Sequence, residues 1–198
     1  MPALQPDLFA PQPEDLPEGM VYAPELISPG EEQRLAAGMA DWPFQPYAFH
    51  GRQANRRVIA FGRHYDPGRG FAAIDPIPDV LLPLRARAAE VADLSPDDLD
   101  QALVNEYRPG AGIGWHRDRP MYGEVVGVSL LSPCQLRLRR AVAGGWERRT
   151  LRAEPRSAYV LTGPARSEWQ HSIPPLETLR YSITFRRFLA DRGRHPST

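Results

Sequence analysis

Past residue 100 the chain breaks into short stretches, apolar or alternating apolar and polar, at 103–107, 125–130, 135–139, 148–152, 158–161 and 181–188. Each is separated from the next by a segment containing Gly or Pro. Period-two alternation over four to eight residues marks strands with a buried face. So many strands in succession hide those faces only by folding one sheet against another, as a sandwich or barrel. Gly144-Gly145 marks the hairpin turn between the third and fourth stretches.

Before residue 100 the pattern is mostly helical. Ser28-Pro29-Gly30-Glu31 is a capping box with proline in the first turn, and Leu35, Met39 and Trp42 follow on one stripe, predicting a helix that ends before Pro43. A second helix carries Leu81, Leu84, Ala88 and Val91 on one face, and Ser95-Pro96-Asp97-Asp98 caps a short third. A short strand is expected at 20–27, and 66–78 reads as a Gly/Pro-rich loop. The class is α+β, with the N-terminal helices packed on one side of a β core.

The length of 198 residues suits one domain. Residues 1–19 hold five prolines and little periodicity, so they are expected to be a flexible leader to a single domain at 20–198. No apolar run long enough to span a membrane is present, and no signal-like N-terminus is visible, which predicts a cytoplasmic protein, a monomer by default. The one cysteine, Cys134, excludes an internal disulfide and sits among apolar residues as a packed thiol. Net charge is zero but uneven: residues 1–50 balance at −7 and residues 51–198 at +7, with arginine as the only basic side chain besides histidine. A basic body behind an acidic front is compatible with a nucleic-acid partner.

Between the first two helices, 44–66 mixes arginine with aromatic residues. Phe49-His50-Gly51-Arg52 and Asn55-Arg56-Arg57-Val58-Ile59-Ala60-Phe61-Gly62 read as two extended pieces around a polar turn. Such a hairpin suits two uses equally: gripping a phosphate backbone while stacking a base, or a solvated hairpin whose arginines pair with the acidic N-terminal segment.

The chemistry is concentrated at 105–118, Asn-Glu-Tyr-Arg-Pro-Gly-Ala-Gly-Ile-Gly-Trp-His-Arg-Asp. Glycines at 110, 112 and 114 permit a sharp bend or a close approach. Residues two apart in an extended segment point the same way, so His116 and Asp118 offer an imidazole and a carboxylate to one point. Those are two of the three ligands of a 2-His-1-carboxylate site, which holds non-haem Fe(II) with positions left open. Of the other histidines, His195 lies in the C-terminal tail, whereas His171 lies between two predicted strands and is the natural third ligand. On the final strand Arg180, Ser182, Thr184 and Arg186 face one way and Tyr181, Ile183 and Phe185 the other. Buried arginines demand anions. Two of them, at the ends of a strand spanning roughly 20 Å at ~3.3 Å per residue, would hold a five-carbon dicarboxylate at both ends, a geometry that fits 2-oxoglutarate.

The ordered set Asn-x-Tyr-x-x-Gly from Asn105, His-x-Asp at 116–118, His171, and Arg-x-x-x-x-x-Arg from Arg180 resembles the AlkB family of Fe(II)/2-oxoglutarate-dependent dioxygenases, strongly over 100–188 and loosely over 44–66. The resemblance implies a double-stranded β-helix (jelly-roll) core and a nucleotide-recognition lid at 44–66. It also implies iron ligands His116, Asp118 and His171, and 2-oxoglutarate contacts from Asn105, Tyr107, Arg180, Ser182 and Arg186. The implied reaction consumes Fe(II)-bound 2-oxoglutarate and O2 and removes N-alkyl groups from DNA or RNA bases, as in repair of alkylation damage, releasing succinate, CO2 and an aldehyde. On looser similarity Arg56 and Arg57 would contact phosphates, and Phe61, Tyr65 and the His116 ring would stack a flipped base. Two positions depart from the pattern: Ser182 stands where an Asn is common, and Pro120 stands where repair members carry an acid aimed at the damaged base. Glu124, Arg119 or a lid residue is then left to replace that contact. The same fold also serves tRNA modification and methylated protein side chains, and a silent binding module is a third reading. Trp115, Trp146 and Trp169 read as core or lip packing.

Overall fold

The computed structural model describes residues 15–49, 52–66 and 70–189. Most of the expected leader, the 50–51 turn with His50, and the arginine-rich tail from residue 190 therefore lie outside the described residues. In chain order the elements are β1 (Met20–Ala23), α1 (Pro29–Met39), β2 (Gln45–Phe49), β3 (Arg52–Asp66), β4 (Gly70–Ala73) and α2 (Leu82–Val91). There follow β5 (Gln101–Tyr107), β6 (Ile113–His116), β7 (Tyr122–Leu130), β8 (Cys134–Val142), β9 (Gly145–Ala153), β10 (Ala158–Leu161), α3 (Gly163–Ser167), β11 (Gln170–Ile173) and β12 (Arg180–Phe188).

Two antiparallel sheets result. The larger runs β1-β10-β7-β12-β5-β3-β2, with β4 paired to the far end of β3; the smaller runs β6-β11-β8-β9. They are the two walls of a jelly roll. One core lies between the helices and the larger sheet, where Met39, Leu81, Leu84 and Ala88 meet Val104, Val126, Ile183 and Phe185. The other lies between the sheets and contains Leu136, Leu138, Leu161, Tyr107, Tyr159 and Trp169. Fully burying a side chain such as Ile183 or Phe185 contributes about 1.5–3 kcal/mol.

β12 shows why the fold positions a site. It lies between β7 and β5, so both edges are paired, and both faces are covered: Tyr181, Ile183 and Phe185 enter the helix-side core, and the alternate residues face the smaller sheet. The register then sets Arg180 opposite Tyr107 and Ser182 opposite Asn105, so four residues from two segments of the chain share one inner surface.

Helix α1 begins as its capping box dictates. Ser28 Oγ accepts from the Glu31 amide at 3.3 Å and Glu31 Oε2 accepts from the Ser28 amide at 2.9 Å. Arg87 of α2 donates to Glu31 Oε1 at 2.7 Å and ties the helices together. The helix stops at Met39, and Trp42 packs edge-on against Phe61, 5.3 Å between centroids. The expected third helix is a single 3-10 turn, Pro96–Asp98. The expected 20–27 strand ends at Ala23, the 66–78 loop contains β4, and β11 and α3 are additions to the sequence reading. Cys134 is buried, and burial raises its thiol pKa.

Candidate active site

β6 and β11 pair so that His116 and His171 stand directly opposite each other, their ring centroids 4.2 Å apart. Gly112 makes that approach possible: a Cβ there would lie 2.7 Å from the Ile173 carbonyl oxygen. Gly110 turns the chain at φ +85°. Gly114 has open space and no unusual φ; what it contributes is its carbonyl, 2.9 Å from His116 Nδ1. That carbonyl can only accept, so Nδ1 carries the proton and Nε2 keeps its lone pair.

Just beyond β6, Asp118 Oδ2 is 3.7 Å from His171 Nε2. Its Oδ1 accepts from Arg186 Nη2 at 2.9 Å and Nε at 3.2 Å. Burial alone would raise the Asp118 pKa, but the Arg186 charge, then His171 and His116, outweigh it and hold the carboxyl well below its usual range. Burial, reinforced by His116, pushes His171 down to about 3; burial also lowers His116. The result is an ionised carboxylate beside two neutral imidazoles, the donor set that a 2-His-1-carboxylate iron site uses. Among the described residues no group of three His, Cys, Asp or Glu side chains is already arranged to hold a metal. Here Asp118 is turned onto Arg186. Only Oδ1 is engaged there, while Oδ2 faces His171, and in donor chemistry the trio fits Fe(II).

The trio lines a cavity of about 550 Å³ between the sheets. Asn105, Tyr107, Ser182, Thr184 and Arg186 contribute to the same wall. Arg180 lies behind Tyr107, its guanidinium 5.3 Å from the ring centre and fully buried. Nη2 donates to Ser129 Oγ at 2.8 Å, while Nε and Nη1 have no hydrogen-bond partner. A buried cation with two unmatched nitrogens suits an anion, and in chemistry it fits a 2-oxoglutarate carboxylate, with the Tyr107 ring between it and the cavity. Arg186, expected at the other end of the diacid, is instead engaged with Asp118 and, at 3.1 Å, with Gln101 Oε1. Burial raises the Tyr107 pKa, so the ring keeps its phenolic proton as a donor.

The lid candidates divide by strand parity. Arg56, Ala60 and His64 of β3 line the cavity. Arg57 does not: it pairs with Glu106 and lies over Phe44 on the opposite side. Phe61 packs against Trp42 in the helix-side core. Those two expected substrate contacts are therefore corrected, because adjacent strand residues cannot share a face. Tyr65 pairs with Phe71 through the backbone, and its side chain lies outside the described residues. His64 is a cavity residue outside the sequence expectation, although period-two counting from Arg56 reaches it. Glu124 is held by Arg187 at 3.2 Å rather than by the cavity, whereas Arg119 lines it.

Several solved structures share this fold. The structure of OsALKBH1 matches with TM-score 0.66 at 18% identity over 88% of this chain and 99% of that one. A Pseudomonas putida prolyl-4-hydroxylase matches with TM-score 0.60 at 16% identity over 87% and 94%. The fold is thus that of the jelly-roll oxygenases. The sequence description of the 2OG-Fe(II) oxygenase superfamily matches residues 19–186, and the chain belongs to that superfamily, whose chemistry uses Fe(II), 2-oxoglutarate and O2. Within it the chain is AlkB-like. It is 27% identical over 185 residues to the alkylated DNA repair protein ALKBH8 homolog of Arabidopsis thaliana, covering 79% of this chain and 51% of that one. It is 30% identical over 112 residues to the probable RNA/DNA demethylase ALKBH6 of Danio rerio, covering 57% and 46%. The chain spans about half the length of these curated relatives.

Proposed function

We propose that this chain is an oxidative dealkylase of N-alkylated bases in DNA or RNA. The observation that carries the reading is the meeting of His116, Asp118 and His171 on one cavity of about 550 Å³, a size that suits a co-substrate and one extruded base, with the buried, partly unmatched guanidinium of Arg180 behind its Tyr107 wall. Relatives named for nucleic-acid repair and demethylation support the substrate class.

Nε2 of each histidine and the Asp118 carboxylate would hold Fe(II), which, with 2-oxoglutarate and O2 bound, supplies the oxidising power for cleaving an N-alkyl bond. The residues around it prepare the site. Burial keeps both imidazoles neutral, so no proton has to leave before metal binds. Arg186 keeps Asp118 ionised. Arg180, braced by Ser129, would anchor the distal carboxylate, while the Tyr107 hydroxyl, Asn105 and Ser182 would supply hydrogen bonds along the chain of the co-substrate. Ser182 is too short to span what a longer amide would, so its contact is either shortened or bridged by water. Residues 44–66 act as the lid, with Arg56 and His64 as its cavity-facing contacts. Pro120 has no acceptor for a protonated base, and Arg119 is the adjacent polar group on the wall.

The test is anaerobic binding of Fe(II) and 2-oxoglutarate, followed by O2 and assay of succinate and formaldehyde with N-methylated single-stranded DNA and RNA. Substrate-stimulated formaldehyde from the wild type, lost in His116→Ala and Arg180→Ala, is expected. Succinate without formaldehyde would retain the oxygenase and move its substrate to another modified nucleotide or a protein side chain. No binding of either cofactor refutes the enzyme.

A further inference from the structure

The outer face of the smaller sheet carries side chains that the cavity does not use. Leu136, Leu138 and His171 point inward. The alternate positions Arg137 and Arg139 point outward, Arg148 stands directly opposite Arg139 on β9, and Trp115 lies beside them on β6. Arg139 is sandwiched between two indoles, its guanidinium carbon 4.3 Å from the Trp115 ring centre and 4.2 Å from that of Trp146. Arg137 also lies over Trp115, at 5.2 Å.

Each stacked guanidinium commits Nε to a neutral group on β11: Arg139 to Gln170 Oε1 at 2.8 Å and Arg137 to Ser172 Oγ at 3.1 Å. Arg148 donates to the Trp146 carbonyl at 3.3 Å. Among the described residues no carboxylate pairs with any of the three. The acid between them, Glu147, turns to the other side of the sheet, where Arg140 and Arg149 hold it. Elsewhere in this chain arginines meet carboxylates repeatedly, so three unneutralised cations on one face are not an average of its surface. Stacking fixes the planar fork while its outer N–H groups stay available, which is how arginine is preorganised for phosphate. Arg137 and Arg139 are about 6.6 Å apart along the strand, at ~3.3 Å per residue, with Arg148 one strand spacing, ~4.8 Å, to the side. Trp146 is left 40% exposed. Trp115 also borders the cavity, as does Arg117 beyond it, so the cationic row leads to the mouth.

We propose that this face is a phosphate track for the strand flanking the base delivered to the cavity. Its ligand is a nucleic-acid backbone, read by charge and not by sequence. The proposal rests on the nucleic-acid reading given above.

The test is fluorescence anisotropy of labelled single-stranded DNA and RNA, unmodified, with the full chain, between about 50 and 200 mM salt. In the double variant Arg139→Gln/Arg148→Gln the slope of log affinity against log salt should flatten by about 1.4, at ~0.7 per single-strand phosphate contact. Affinity should fall several-fold and alike for every sequence, with an unchanged thermal midpoint showing that the fold is intact. Trp146→Leu, which removes one indole and no charge, should give a smaller loss. If the wild type binds steeply and the double variant matches it, the track is refuted while the nucleic-acid reading stands. If the wild type shows no salt-dependent binding, both fail. Displacement of the probe by polyglutamate at equal charge concentration makes the face a protein-docking surface and also overturns the proposal.

Discussion

A methyl group at position 112 would lie 2.7 Å from the Ile173 oxygen and 2.9 Å from the Pro174 carbonyl carbon, both backbone atoms that cannot rotate aside. Gly112→Ala must therefore move β6 away from β11 and with it His116 from His171. We expect a loss of about 1–3 kcal/mol in stability, the range for overpacking, and a much weaker Fe(II) affinity, read by denaturant unfolding and anaerobic metal titration. Arg180 gives the opposite pairing of effects. With its Nε and Nη1 unmatched, its buried charge costs the fold, a cost that a ligand's anion would offset. Arg180→Met should leave the unfolding free energy unchanged or raise it, by up to about 1–4 kcal/mol, yet cost about 2–5 kcal/mol in 2-oxoglutarate binding by calorimetry. A fall in both would show Arg180 to be structural.

At the scale of elements, what was legible depended on how far local chemistry decides the conformation. α1 starts where Ser28 and Glu31 cap it reciprocally, a signal complete within four residues. Ser28→Ala should cost about 1 kcal/mol, measured by urea unfolding. Glu31, drawn down to about 2 first by Arg87 and then by the Ser28 amide, stabilises the fold above its unfolded pKa near 4.5; that contribution fades as pH falls through about 2, and it is modest because the side chain is 28% exposed. β12 was equally readable, because seven residues alternate without a break. β11 was not: its four residues, Gln170–Ile173, acquire their strand character from pairing with β6 and β8. β3 misled at the level of parity. Taking Arg56 with Arg57 and Phe61 mixes the two faces of one strand. Arg56 and His64 share a face, which counting in twos would have found. That His116, Asp118 and His171 come together was legible from spacing and resemblance, while the Arg186–Asp118 contact was not, since nothing local joins residues 68 apart.

For the whole molecule, acid is the sensitive direction. Burial drives His171 down to about 3, so between its unfolded pKa of ~6.5 and about 3 the unfolded chain binds a proton that the folded chain refuses. Stability rises with pH wherever the unfolded state binds more protons, so the metal-free protein should weaken steadily as pH falls through that window. His171→Leu should flatten the dependence there in chemical denaturation at stepped pH.

β6 is the edge of the smaller sheet and, among the described residues, pairs only with β11, in a register with an irregularity between His171 and Ile173. An ion shared by His116, Asp118 and His171 would bridge that seam from the inside. The reaction centre would then double as a clasp on the wall that contains it, and the edge segment 113–118, with His116 at the end of β6 and Asp118 just beyond it, would be the one most dependent on the ion being there. Iron supply would set not only how fast such a protein turns over but how long its reaction chamber stays shut.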